Sequence, residues 1–201
     1  MTTQSRKAPD ATRRRESSRR AILTAAFELV GEVGYGRLSI EGIAARAGVG
    51  KQTIYRWWPS KGAVLFDAFL LLAAGSEGAD ASLPDTGDLA ADLKLVLHAT
   101  VDELNDPAMS EPMRALTTEI LLDPALAATY AERLDAPMRE LKRARLRSAQ
   151  RAGELPADLD LDLAVEILWG TLRNRWLERT GPLDHAYADR LVDTVLNGLR
   201  G

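Results

Sequence analysis

The chain has 201 residues, 46% apolar and 27% charged, which is enough material for a substantial core. It contains no cysteine, so disulfides and thiolate metal sites are excluded, which fits a reducing cytoplasm. The formal charge of −3 is unevenly placed: residues 1–62 carry twelve Lys and Arg against five Asp and Glu, and residues 63–201 fourteen against twenty-four. A basic front on an acidic body implies that the front meets a polyanion and the body does not.

Residues 1–16 are polar and arginine-rich and are expected to form a flexible basic arm. Arg13, Arg14, Arg15, Arg19 and Arg20 read as nonspecific phosphate contacts rather than a solvating tail. Ser17 or Ser18 is predicted to cap a first helix ending near Gly34, with Ile22, Ala26, Leu29, Val30 and Val33 at helical spacing. Arg19 and Arg20 ahead of an apolar run look like a twin-arginine export signal. Glu28 breaks that run and no small-residue cleavage site follows, so a helix is expected instead.

Ser39 is placed to cap a second helix through Arg46, with Glu41 in the first turn where the helix dipole favours an anion. Gly48 breaks the chain, and a third helix is predicted over residues 51–57, ended by Pro59. Ser60 then caps a fourth, whose apolar stripe is Val64, Leu65, Ala68, Phe69 and Leu72. Residues 75–87 are small, polar and turn-rich, a connector.

Beyond it only helices are predicted. Leu89, Leu93, Val96, Leu97, Thr100 and Leu104 make one face of the fifth. A sixth covers residues 108–122, and a long seventh, 124–152, is expected to kink near Pro137. Residues 153–159 form a second connector. Two last helices, 161–179 and 184–199, flank Gly181-Pro182. The longest near-apolar run, 68–75, is too short to span a bilayer, so no membrane partner is expected. The predicted fold is all-α: an N-terminal helix-turn-helix domain over 17–75 (motif 38–57) and a helical body over 85–201.

The segment 39–61 carries the specific chemistry. Where two helices cross closely the crossing residue must be small, which suits Ala44, while Ile43, Val49 and Ile54 are spaced to fix the crossing angle. Lys51, Gln52 and Thr53 form the exposed first turn of the third helix: Gln can pair with adenine, Lys with guanine, and Thr with a thymine methyl or a phosphate. Tyr55 and Lys61 suit phosphates. Trp58 falls on the inward side, as core.

Read together, Ala44-Ala45-x-Ala47-Gly48-Val49-x-Lys51-x-Thr53-Ile54-Tyr55 followed by Pro59-Ser60-Lys61 resembles the DNA-binding domain of TetR-type transcription regulators over residues 17–72. The resemblance implies base reading by Lys51, Gln52 and Thr53 and phosphate contacts from Tyr55, Trp57 and Lys61. Ser39, at the head of the motif, joins them as an expected DNA contact. Gly50 departs from the Ser or Thr that often caps this helix, and Trp57 from the usual His or Tyr. For the body, the resemblance implies a homodimer through the last two helices and a cavity for a small-molecule effector.

Apolar bands on those two helices are wider than one core needs, and Leu168, Trp176, Tyr187, Leu191, Val192, Val195 and Leu199 are the expected dimer contacts. Candidate cavity residues are Val96, Thr100, Met113, Leu116, Thr117, Ile120, Met138, Trp169, Leu172 and Arg173, the last favouring an anionic or polar effector. The basic run Arg139, Lys142, Arg143, Arg145, Arg147 and Arg151 reads as a solvated helix surface rather than a second nucleic-acid patch. The expected function is a homodimeric regulator, a repressor released from a palindromic DNA operator by an unknown small molecule. A helical-bundle enzyme is the first alternative, set aside because His98 and His185 stand isolated in the sequence and no metal or cofactor motif appears. An architectural DNA-binding protein without an effector is the second.

Overall fold

The computed structural model describes residues 10–76 and 82–199. The chain divides into two compact units, Met1–Ser76 and Glu77–Gly201. Among the described residues there are nine helices and no strand.

In the first unit α1 is Asp10–Val33, α2 is Ile40–Ala47, α3 is Lys51–Tyr55 and α4 is Lys61–Ser76. α1 begins ahead of the predicted cap, so residues 10–16 of the expected arm are helical. The reason is local: Ala, Arg and Glu there are good helix formers, and neither Gly nor Pro intervenes. Residues 1–9 lie outside the described residues. Gly34, at φ 75°, ends α1 in a backbone conformation that a side chain would strain, and a short 3-10 turn at Tyr35–Arg37 leads on to Ser39. The Ser39 hydroxyl accepts from the Gly42 N–H at 3.1 Å, as an N-cap should. α1 packs on both α2 and α4. Ile22, Ala26 and Val30 of α1 meet the core with Ile43 and Ala44 of α2, Ile54 of α3, and Val64, Leu65 and Phe69 of α4, all buried. Leu72, expected in that stripe, is exposed instead.

The second unit contains α5 (Leu89–Asn105), α6 (Pro107–Leu122), α7 (124–151), α8 (161–178) and α9 (His185–Leu199). Each of these helices starts on an aspartate whose carboxylate accepts from the amides of its first turn: Asp88, Asp106, Asp123, Asp160 and Asp184. The anion thereby satisfies orphan amides and sits at the favourable end of the helix dipole. Pro107 and Pro124 follow two of these caps directly, where their missing N–H does no harm.

α7 and α8 are each interrupted by a widened π-turn, Ala131–Asp135 and Glu166–Gly170. The first sits where a kink was expected, because Pro137 has no N–H to give to the preceding turn. The core of this unit joins Leu89, Leu93, Leu97 and Val101 of α5 to Leu146 and Ala149 of α7. Val165, Leu168 and Leu172 of α8 and Ala188, Val192 and Leu196 of α9 complete it. α5 packs on α9 and α6, and α7 on α8.

Candidate nucleic-acid interface

Gly48, at φ 66°, makes the turn between α2 and α3, and its N–H and that of Val49 close the carbonyls at the end of α2. α3 is a single exposed turn held from behind. Ile54 is fully buried and Trp58 is 4% exposed, whereas Tyr55 on the opposite side is 48% exposed. Lys51 and Gln52 share that outer side, and Thr53 is half-buried. Regular α-helix stops at Tyr55 rather than Trp57: the Trp57 N–H bonds back only three residues, to Ile54, as the chain prepares for Pro59.

The tryptophan indoles divide the work. Trp58 donates its Nε1–H to Asp67 at 2.9 Å, and Arg19 donates to the same carboxylate oxygen at 3.1 Å, so Trp58 is core. Trp57 lies half-buried, edge-on to Trp58, with the Arg56 guanidinium 5.4 Å from its ring. Lys61 is more occupied than a simple phosphate grip requires. Its ammonium donates to the carbonyls of Tyr35 at 3.1 Å and Leu38 at 3.2 Å and lies 4.1 Å from the Tyr35 ring. At most one of its three N–H groups remains for a phosphate. Lys51 lies 3.6 Å from Glu41, both exposed, a screened contact that a polyanion displaces easily. Arg46 lies against Glu32 and Glu28 of α1, which keeps Glu32 below the usual carboxylate range through its hydrogen bond.

In the body the expected cavity residues do not all keep one company. Leu116, Thr117, Trp169 and Leu172 are buried, and the Thr117 hydroxyl is turned back onto the Met113 carbonyl. Val96, Thr100, Met113, Ile120 and Met138 are half-buried, and Arg173 is exposed. Trp169 carries the Lys142 ammonium 4.8 Å from its ring centre.

Of the expected dimer contacts, Leu168, Trp176, Val192 and Val195 are buried within the protomer, and the Trp176 indole donates to Ser110. Tyr187 and Leu191 are half-buried; the Leu199 side chain lies outside the described residues. The same two helices present another row. Leu163 (52% exposed), Ile167, Gly170, Thr171, Asn174 and Tyr187 line an open groove of about 500 Å³. Ile167 lines this groove, while Leu168 beside it is fully buried. Arg175 closes one end, stacked 4.2 Å over Tyr187 and donating to the Pro182 carbonyl. Gly181 leaves room for its guanidinium, which any Cβ there would strike.

Two further pairings escape sequence reasoning. His98 and His185 are not isolated: their rings stack 4.1 Å apart, His98 bonds Asp189 at 2.7 Å and His185 bonds Asp102 at 2.7 Å, so the pair clasps α5 to α9. Along the basic run on α7, Arg139, Arg143, Arg145 and Arg147 pair with Asp135, Asp162, Asp92 and Glu140; only Arg145 is buried, and Arg147 and Arg151 stay exposed.

Comparison with known proteins agrees with this geometry. Residues 22–68 match the family model described as bacterial regulatory proteins, tetR family, and residues 83–195 the one described as tetracyclin repressor-like, C-terminal domain. The chain is 32% identical over 94% of its length to a Bacillus subtilis protein named an uncharacterized HTH-type transcriptional regulator, YdeS, covering 91% of that protein. It is 32% identical over 91% of its length to the DNA-binding transcriptional repressor TetR of Mycobacteroides abscessus, covering 94% of it. A crystal structure of the TetR family transcription regulator SCO0332 superposes with a TM-score of 0.72 at 33% identity, covering 90% of this chain and 98% of that one. No described helix is long and apolar enough to cross a membrane. With the exposed turn of α3 pinned over a buried tryptophan, and matching models over both units, the chain belongs to the TetR family of DNA-binding transcription regulators and is not an enzyme.

Proposed function

We propose that the protein is a homodimeric repressor that holds a palindromic operator and lets it go when a small molecule enters the helical body. The observation that carries this reading is the α3 turn, with Lys51, Gln52 and Tyr55 outward and Ile54 and Trp58 anchored behind. Lys51, Gln52 and Thr53 read bases in the major groove. Ser39, Tyr55, Trp57, the remaining Lys61 donor and Arg13, Arg14, Arg15, Arg19 and Arg20 grip phosphates. Repression follows the role of the Mycobacteroides abscessus relative, a transcriptional repressor. Two-fold pairing uses the Leu163–Ile167–Tyr187 groove, and half-site centres fall about one helical turn (~34 Å) or a multiple apart. Cytoplasmic action follows from the DNA partner. By linkage, effector and operator weaken each other by one common factor.

Footprinting of the full chain on its own upstream region, with sedimentation of the free and bound protein, tests the reading. Protection of two symmetric half-sites by two copies is expected. A single unsymmetric footprint, or binding that ignores sequence at every salt concentration, would overturn it.

A further inference from the structure

We propose that Lys142, Trp169 and Arg173 form a receptor for a small organic carboxylate; this rests on the effector reading above and names the chemistry of the effector. Asp135, Met138, Arg139 and Lys142 recur at helical spacing along one face of α7, and Trp169 and Arg173 are one turn apart on α8. The 4.8 Å approach of the Lys142 ammonium to the Trp169 ring brings these two faces together. Both π-turns contribute, Asp135 closing the first and Trp169 lying in the second. Such widened turns are frequent where helices are bent to a functional purpose.

The charge balance points to an anion. Arg139 has Asp135 at 3.4 Å, Arg143 has Asp162 at 3.4 Å, Arg145 has Asp92 at 2.8 Å and Arg147 has Glu140 at 3.1 Å. Half-buried Lys142 has no carboxylate in salt-bridge contact among the described residues, and neither has exposed Arg173. Burial pushes the Lys142 ammonium down to about 8; Asp135 opposes this, while Arg139 and Arg173 add to it. Tyr130, whose phenol is raised by burial, feels Arg173 and Asp135 as well. A desolvated cation lacking a counter-ion gains more from an incoming carboxylate than an exposed one does. Half-buried Met138, one turn before Lys142 on the same face, offers apolar surface for the rest of such a molecule. The competing account is that the Trp169 ring alone satisfies Lys142 as a cation–π partner, leaving nothing for a ligand.

The two accounts separate in calorimetric titrations of the full-length protein with benzoate and octanoate, each beside its neutral amide. Carboxylates are expected to bind about tenfold tighter than the amides at pH 7. At pH 8 each should draw in up to roughly half a proton, read from the difference between buffers of unlike ionisation heat. Lys142→Met should lose both the preference and the uptake, and melt no lower than the parent, because a desolvated charge has been removed. Lys142→Arg should keep the preference and lose the uptake, since arginine does not titrate. Equal binding of acid and amide, a preference that survives Lys142→Met, or no binding by either pair overturns the proposal. Gel shifts on the footprinted fragment separate its failure from that of the effector reading. Carboxylate bound through Lys142 without DNA release leaves this site standing and removes the effector role. Release by neutral compounds alone does the reverse.

Discussion

Trp58 donates its indole N–H to the carboxylate of Asp67 at 2.9 Å, tying the chain just beyond the recognition turn to the middle of α4. Arg19 of α1 donates to the same oxygen, so α1 and the end of the recognition turn meet at one acceptor on α4. The ring is 4% exposed and stands behind the surface that carries Gln52 and Tyr55. Trp58→Ala therefore removes both a large buried ring and a donor. A loss of about 3–5 kcal/mol is expected in denaturant unfolding. DNA affinity should fall alike for all sequences, because the turn loses its support rather than a base contact.

Gln52 and Lys61 should fail differently. Gln52→Ala removes an exposed side chain with little effect on folding, and is expected to relax the preference at one base pair by about 1–3 kcal/mol. Lys61→Ala takes the charged donor from the Leu38 carbonyl and leaves that of Tyr35 only with the Leu38 N–H, so stability should fall by about 1–3 kcal/mol along with affinity. A competition assay over single-base operator variants, run beside thermal melts, distinguishes them. If Gln52→Ala kept the full base preference, its assignment as a reader would be wrong.

The buried pair in the body sets an acid limit on stability. Asp92 and Arg145 are both almost fully buried, joined at 2.8 Å and 3.1 Å, and Thr86 adds its N–H and its hydroxyl to the same carboxylate. Burial works against ionisation of Asp92, but the hydrogen bonds from Thr86 and Arg145 outweigh it and hold the carboxyl below its usual range. A depressed folded-state pKa means the stabilisation is present above the unfolded aspartate's pKa. It disappears as pH falls through the lower folded value. Asp92→Asn should flatten that acid limb. At neutral pH it should cost about 3–5 kcal/mol, because Arg145 stays buried with weaker partners. Urea midpoints of parent and variant between pH 3 and pH 7 check both parts. A variant curve parallel to the parent's would remove Asp92 from the acid response.

Most of the fold was legible because its signals are local. Ser39, Gly48, Pro59 and Ser60 punctuate the first unit by backbone chemistry alone, and the Asp caps of α5 to α9 were there to be read in the same way. Pairings made by topology were not legible. His98 and His185 are separated by most of the body in sequence, yet packing of α5 on α9 stacks them. Nor does helical spacing say what covers an apolar face. It groups Val165, Leu168, Leu172 and Trp176 on one side of α8, but only the packing shows all four buried within the protomer. Lys61 shows a third limit, because nothing in its neighbours announces that two main-chain carbonyls will claim it.

The open groove yields a sharp test of the proposed dimer. Gly170 sits in the groove with Leu163 and Ile167, and a Cβ added there meets no other atom within 4 Å. Gly170→Arg should thus be tolerated by the isolated protomer while placing a bulky cation where a second copy must lie. Sedimentation is expected to show a shift toward monomer, with loss of cooperative binding to paired half-sites and little change in binding to one. Leu168→Ala, one turn-position away but fully buried, should do the opposite: about 2–5 kcal/mol of stability lost, with self-association kept while the protein stays folded. A Gly170→Arg protein that remained dimeric at low micromolar concentration would remove this groove from the pairing surface, whatever the DNA then showed.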